Sequence, residues 1–415
     1  LKERGFRVIL LNSNPATIQT DDTVADVVVL RPLVPEVVEE LLREHRPWGV
    51  VATLGGQTAL NLCVACEALG IWQRHACQVL GTSSDAIDRA ESRDAFRQTM
   101  VALGQPVPQS ACVTSLEEAQ RFARTVPLPL IVRPDFTLGG AGNGVVRHEE
   151  DLVLRVEEGL RASPVGRVLV ERYLEGWREI EAEVVRDGAG NALCVCGMEN
   201  VDPMGVHTGD SVVVAPVLTL SDRQWQRLRE AALVIVGALD VRGACNVQFA
   251  LSPDGEEYAV IEVNPRASRS SALASKATGY PIARVAARIA LGRLLTDLPN
   301  PVTGAGSALA EPALDYVVLK IPAWPFDAFP GVDEALGTRM KATGEILALG
   351  STFSQALLKG YRSLEGGDRW HDPRWSTLDE EVLWHHVETP THRRLESMGE
   401  LLRRGVSPEV LVNRT

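Results

Sequence analysis

Two short runs, Asn246-Val247-Gln248 and Glu262-Val263-Asn264, alternate polar and apolar residues and are separated by the turn residues Ser252-Pro253-Asp254-Gly255. Residues two apart on a strand project from the same face, and Ser, Pro, Asp and Gly in succession favour a reversal of the chain. If the runs pair as a hairpin, one face displays the amides of Asn246, Gln248 and Asn264 beside the carboxylate of Glu262. Hard oxygen donors of this kind suit Mg²⁺ bridging phosphates, a cation that keeps several waters and takes few protein ligands. A merely solvated hairpin face would more often carry Lys, Thr or Glu. Arg266 and Arg269 follow at once, among Ser268, Ser270 and Ser271. Guanidinium groups next to such a face suit a metal-nucleotide together with a small anion.

Thr137-Leu138-Gly139-Gly140-Ala141-Gly142-Asn143-Gly144 is a second feature with chemical meaning. Glycines let backbone N–H groups approach and cradle phosphates. With a strand at 129–133 ending in Arg133 and another at 144–147, the loop reads as a phosphate-covering flap or as a plain hairpin turn. The stretch from Gly205 to Ser211 packs polar side chains between glycines, but spacing alone gives His207 no role. Cys245 lacks the second glycine of a nucleophile elbow and sits on the proposed metal strand, so it reads as a small core residue. No Ser/His/Asp or Cys/His set has catalytic spacing. Only five of the 42 basic residues are Lys, and no Gly-Lys-Ser/Thr occurs, which closes the P-loop route to nucleotides. Seven Cys make no disulfide framework, and Cys63 and Cys66 fall inside a helical pattern, so a reduced, cytosolic chain is expected.

These residues need a scaffold, and 415 residues allow two to four domains. With 45% hydrophobic and 23% charged residues the composition is that of an ordinary globular chain. No run of eighteen apolar residues offers a membrane span, and a net charge of −12 argues against a nonspecific nucleic-acid binder. The first ninety residues alternate strands at 6–11, 49–54 and 78–81 with helices at 35–45 and 57–70, which predicts an α/β unit on a parallel sheet with ligands at the strand ends. No GxGxxG is present there. Leu1-Lys2-Glu3-Arg4-Gly5 reads as the tail of a helix, so an N-terminally truncated unit is expected. Further on, helical stretches at 84–102, 115–126 and 222–239 accompany strands at 110–113, 168–171, 180–186, 244–250 and 257–263. Short strands return after 304. Beyond 366 the chain turns helical and charged, and Trp370, Trp375 and Trp384 read as packing residues rather than a base-stacking platform.

Asn12-Ser13-Asn14-Pro15-Ala16-Thr17, Gly55-Gly56-Gln57-Thr58-Ala59-Leu60-Asn61, Met204 to Ser211 and the run from Glu262 to Gly279 closely resemble the large chain of carbamoyl-phosphate synthase, in particular its first, carboxyphosphate-forming half. The resemblance implies an α/β architecture. A truncated pre-ATP-grasp domain over 1–88 would precede an ATP-grasp domain over 89–303. The remainder of the synthetic domain would occupy 304–366, and a helical oligomerisation domain would start at 367–415. It further implies that Arg93, Arg133, Gly139 and Gly140 hold ATP phosphates, and that Leu174, Glu179, Gly205, Val206 and His207 line the nucleotide pocket. Gln248, Glu262 and Asn264 would bind Mg²⁺ or Mn²⁺, with Glu262, Arg266 and Arg269 acting in catalysis and Arg266 orienting bicarbonate or its phosphorylated product. Glu179, Asn200 and Ser211 would shape a K⁺ loop. Two departures stand out: Arg172 where some members carry Glu near the adenine, and Pro203 in place of a small residue in the cation loop. The implied reaction is ATP-dependent phosphorylation of bicarbonate and amination of carboxyphosphate to carbamate. That is the first half of carbamoyl phosphate synthesis for arginine and pyrimidines, in a cytoplasmic hetero-oligomer. Ammonia would come from a glutaminase subunit, and carbamate would pass to the second half of the large chain. A biotin-dependent carboxylase and a catalytically silent assembly subunit are the alternatives.

Overall fold

The computed structural model describes every residue except 22, 135–141, 330 and 365–368, so Gly139 and Gly140 lie outside the described residues. In the first unit, β1 (Ile9–Asn12) pairs in parallel with β2 (Val27–Leu30), and β3 (Gly49–Val50) pairs in parallel with β4 (Gln78–Val79). The helices Pro35–His45 and Gly56–Ala68 stand where periodicity predicts them. Proline at the first turn and Arg43 and His45 in the last turn of the former suit its termini. Parallel pairing holds, but the strands are shorter than expected and form two separate two-stranded sheets. Leu42, Leu60, Cys63, Cys66, Ile71 and Trp72 make the core beneath them. Burial pushes the thiols of Cys63 and Cys66 up to about 11 and about 12, so both stay protonated packing residues.

Helix Ser84–Glu91 leads out of this unit, and the expected boundary at 88 falls inside it. A four-stranded antiparallel sheet follows, made by β5 (Ser110–Val113), β6 (Leu130–Pro134), β7 (Gly144–Val146) and β8 (Val168–Arg172) in the order β5-β8-β6-β7. Leu130, Val132, Val168 and Val170 turn one face toward helices Leu116–Ala123 and Glu149–Ala162. By the two-residue period the opposite face carries Arg133 and Glu171.

The largest layer is a seven-stranded antiparallel sheet. Its strands are β9 (Arg178–Arg186), β10 (Ala192–Asn200), β11 (Val213–Ala215), β12 (Gly243–Leu251), β13 (Tyr258–Asn264), β14 (Val317–Ala323) and β15 (Gly344–Gly350), ordered β13-β12-β9-β10-β11-β14-β15. Helix Asp222–Ala238 starts with a Ser221/Gln224 capping box. It covers one face through Leu228 and Ile235 against Ile180, Val184 and Phe249. Helices Arg269–Thr278 and Ile282–Ala290 cover the other, with Leu273, Tyr280 and Ile289 against Val185, Leu193 and Val318. The short strands expected after 304 extend this sheet as β14 and β15, and helix Phe353–Ser363 packs on them. The C-terminal helices Glu380–Glu388, Arg394–Arg403 and Pro408–Arg414 close around Leu383, Trp384, Val387 and Leu401. Trp384 lies under the Arg414 guanidinium and Trp370 against Tyr361, which makes both packing residues.

Candidate active site

The hairpin β12–β13 forms with Asn246 opposite Asn264 and Gln248 opposite Glu262, and an irregularity follows directly after Gln248. The expected shared face exists, but its members divide. Asn246 is buried, and its amide nitrogen donates to Glu181 Oε2 at 2.9 Å and Glu183 Oε1 at 3.0 Å, which ties it to the neighbouring strand. Gln248 is half-buried and Glu262 exposed, while Asn264 donates to Glu262 Oε1 at 3.1 Å. Arg266 donates from Nη2 to Asn264 Oδ1 at 3.0 Å and from Nε to Gln57 Oε1 at 3.1 Å. Gln57 in turn donates to Glu91 Oε2 at 2.7 Å, and the Ala267 N–H reaches the Thr53 carbonyl at 3.0 Å. Burial pushes the Glu91 carboxyl above its usual range, against its bond from Gln57 and the charge of Arg266. The first unit thus braces Arg266, through the Thr53 carbonyl after β3 and through Gln57 in the first turn of helix Gly56–Ala68. Gln57 was visible only within the motif Gly55 to Asn61 that carries the resemblance, with no role of its own.

Beside the hairpin, β9 carries Glu179, Glu181 and Glu183 on one face, all three buried. Thr208 donates to Glu179 at 2.6 Å, and Asn200 and Asn246 donate to the two oxygens of Glu181 at 3.1 and 2.9 Å. Ser270 and Ser271 donate to Glu183 at 2.5 and 2.8 Å. Burial raises all three, Glu179 to about 8 and Glu183 to about 7, and neighbouring carboxylates push the same way. Buried Lys320 donates to the Thr208 carbonyl at 2.7 Å, and burial lowers its pKa against the pull of Glu181. Glu181, Glu183 and Lys320 escaped sequence reasoning. The Glu-x-Glu-x-Glu alternation gives a strand, and nothing local says that its polar side is the covered one.

The loop 201–211 between β10 and β11 faces this row. Gly205 has φ +115°, and a Cβ there would lie 2.0 Å from the Tyr173 hydroxyl, so glycine is required twice over. Leu174 is buried with Ala250 and Ala259, with Trp177, Met204 and Ile261 packed against them as an apolar wall. The Val206 side chain points elsewhere, into a cluster with Phe326 and Leu336. His207 accepts the Gly209 N–H on Nδ1 at 2.9 Å, and burial holds its pKa below the usual imidazole value against Asp210 and Glu262. Ser211 accepts the Asp202 N–H at 3.3 Å. Arg172 lies over the Trp177 ring at 6.0 Å, and Pro203 stands inside the loop.

On the four-stranded sheet Arg133 pairs with Glu171 at 3.7 Å, and both Arg133 and Arg93 pull down a carboxyl that burial raises. Arg269 opens its helix and reaches the Met340 sulfur rather than Glu262. Glu262 acts on the charge of Glu179, Glu181, His207 and Glu91 alike, which marks it as the common neighbour of these groups. Among the described residues no cluster of three His, Cys, Asp or Glu could hold a metal. A cation here would take Glu262 with the amide oxygens of Gln248 and Asn264, and phosphates and water would complete its shell. That donor set fits Mg²⁺. The Asn200 side-chain oxygen is buried without a partner among the described residues, beside the carboxylate row, and fits a cation as well.

Three family models match the chain. The carbamoyl phosphate synthase preATP-grasp domain matches residues 1–89, the carbamoyl-phosphate synthase L chain ATP binding domain residues 92–298, and the large-chain oligomerisation domain residues 345–415. The chain is 54% identical over 412 residues to the carbamoyl phosphate synthase large chain of Thermomicrobium roseum, covering 99% of itself and 38% of that relative. It is 53% identical over 408 residues to the N-terminal section of the Methanopyrus kandleri large chain, covering 98% of itself and 72% of that relative. Among solved structures it resembles biotin carboxylase from Campylobacter jejuni, with TM-score 0.68, 16% identity and coverage of 99% and 94%. It also resembles the biotin carboxylase domain of Hydrogenobacter thermophilus 2-oxoglutarate carboxylase, with TM-score 0.69, 18% identity and coverage of 88% and 86%. At such identities the likeness shows the fold alone, an ATP-grasp fold behind a pre-ATP-grasp unit, as the motifs imply.

Proposed function

The chain belongs to the carbamoyl phosphate synthase large-chain family, and from that premise we propose that it is the part in which ATP phosphorylates bicarbonate and ammonia converts the carboxyphosphate to carbamate. The observation that carries this reading is the register of β12 and β13, which sets Glu262 opposite Gln248 with Asn264, Arg266 and Gln57 in one bonded chain. Phosphoryl transfer asks little covalent chemistry of a protein; it asks for positioning and for neutralisation of charge.

Glu262, Gln248 and Asn264 would hold Mg²⁺ or Mn²⁺, which when bound supplies charge neutralisation on the phosphates. Arg266 is fixed through Nε and Nη2, and its remaining donors are available to bicarbonate and to the carboxyphosphate that forms. Arg93 and Arg133, with the glycine loop at 139–140, would take the phosphates. Leu174 and the apolar residues packed with it would receive the adenine, and Gly205, Val206 and His207 would line the pocket as loop backbone and a neutral imidazole. Glu179, Asn200 and Ser211 would hold K⁺. Arg269 would act next to Arg266 on the anion. The chain spans 38% of the Thermomicrobium roseum large chain. The second phosphorylation therefore belongs, in this reading, to the other half of a large chain, and ammonia comes from a glutaminase subunit in a cytoplasmic hetero-oligomer serving arginine and pyrimidine synthesis.

The test is Glu262→Gln in a full large chain, read as ATP consumption with and without bicarbonate. Loss of the formal charge is expected to cost bicarbonate-dependent turnover about 10²-fold or more. Near-normal turnover would defeat the metal assignment. Wild-type turnover that ignores bicarbonate would defeat the reaction, and stimulation by free biotin would transfer the chain to the carboxylase reading.

A further inference from the structure

We infer that the ion pair between Arg394 and Asp202 is a positioning contact through which the C-terminal helical segment holds the loop 201–211 in the shape that binds nucleotide. The inference rests on the proposal that this loop lines the ATP pocket.

Arg394 Nη1 lies 3.3 Å from Asp202 Oδ1, with both side chains only 13% exposed. Asp202 is the point where the two ends of the loop meet: its N–H donates to Ser211, and the Val201 N–H donates to the Val212 carbonyl at 2.8 Å. Arg394 is the first residue of helix Arg394–Arg403. A cation at a helix N-terminus opposes the helix dipole, so the helix itself gains nothing from arginine at this position. The gain lies in the tertiary contact, which crosses 192 residues of sequence.

A second route runs parallel to the first. The Leu336 N–H donates to the Pro390 carbonyl at 2.7 Å, and Ala335 bridges Thr391. The segment so anchored grips the loop from outside. Gly337 accepts the His207 N–H at 2.8 Å, and buried Asp210 accepts from Trp324 Nε1 and from the N–H groups of Lys341 and Ala342 at 3.1, 2.8 and 2.6 Å. On the inner side the loop meets Glu179 through Thr208, Trp177 through the Met204 N–H, and Tyr173 through Gly205. The loop is thus a thin layer with the nucleotide pocket on one side and the helical segment on the other. Breaking the ion pair leaves a largely buried charge without this partner and releases the base of the loop.

The experiment compares Arg394→Ala, Arg394→Lys, Asp202→Asn and the double variant Arg394→Ala/Asp202→Asn in the full large chain. It reads Mg·ATP affinity by equilibrium titration and bicarbonate-dependent turnover by steady-state kinetics. Each charge-removing single variant is expected to weaken Mg·ATP binding and raise KM for ATP about tenfold, with kcat within twofold. The double variant is expected to be no worse than either single one, and Arg394→Lys to recover most of the affinity. Asp202→Asn keeps shape and volume, so it reports on the contact even where Arg394→Ala fails to fold. Unchanged affinity in Asp202→Asn, additive losses in the double variant, or a fall in kcat at constant KM would each overturn the inference. Wild-type chain that binds no Mg·ATP, or turns it over without regard to bicarbonate, would instead overturn the function on which it rests.

Discussion

Glu183 shows how far a side chain's behaviour departs from its local sequence. It is fully buried, holds three hydrogen bonds, and has its pKa raised by burial from 4.5 to about 7. A carboxyl whose pKa is raised in the folded state binds more protons there than when unfolded, so its contribution to stability is present at low pH and lost as pH rises toward 7. The difference in melting temperature between the parent chain and Glu183→Gln should therefore shift against the parent as pH goes from 5 to 8. Differential scanning calorimetry across that range checks it, and a pH-independent difference would mean that Glu183 titrates normally. Gln248, Glu262, Asn264 and Arg266 were legible because their grouping is set by a two-residue period and one turn. Glu183 was not, because the groups that bury and bond it lie 63 to 88 residues away.

Gly197 fixes how an element can pack. A Cβ at this position in β10 would lie 2.4 Å from the Trp225 ring, so helix Asp222–Ala238 sits on the sheet at a distance only glycine permits. Gly197→Ala must push the indole or the helix away, and is expected to destabilise the fold by about 1–3 kcal/mol. Urea unfolding should show a lower midpoint with an unchanged slope, and Trp225→Ala in the same chain should remove most of the loss; an unshifted midpoint would refute the close packing. β10 itself was not evident in the sequence. Its register shifts between Cys194 and Cys196, which interrupts the alternation that would announce a strand. Helix Arg269–Thr278 was hidden for another reason. Its serines stood only as neighbours of the two arginines, and Ser268 and Ser271 turn out to form its capping box while Ser270 and Ser271 bond Glu183.

The whole molecule joins pieces that sequence presents as successive. The succession of an α/β start, a strand-bearing middle and a helical, charged end was readable from periodicity and composition, but the bond from Arg266 to Gln57, 209 residues apart, and the continuation of the large sheet into β14 and β15 were not, since both depend on contacts between remote segments. That continuation has a consequence in time. β11 has β10 on one side and β14 on the other, and Asp210 finds its partners 131 and 132 residues later, so a chain emerging from the ribosome carries the glutamates of β9 and the β12–β13 hairpin well before the loop 201–211 can be locked. Nucleotide capture should therefore follow the exit of Ala342 and be completed only after Arg394. Stalled nascent chains of increasing length are expected to bind a fluorescent ATP analogue only in the longest members of the series; binding by chains that end before 340 would show that the loop closes without its outer support.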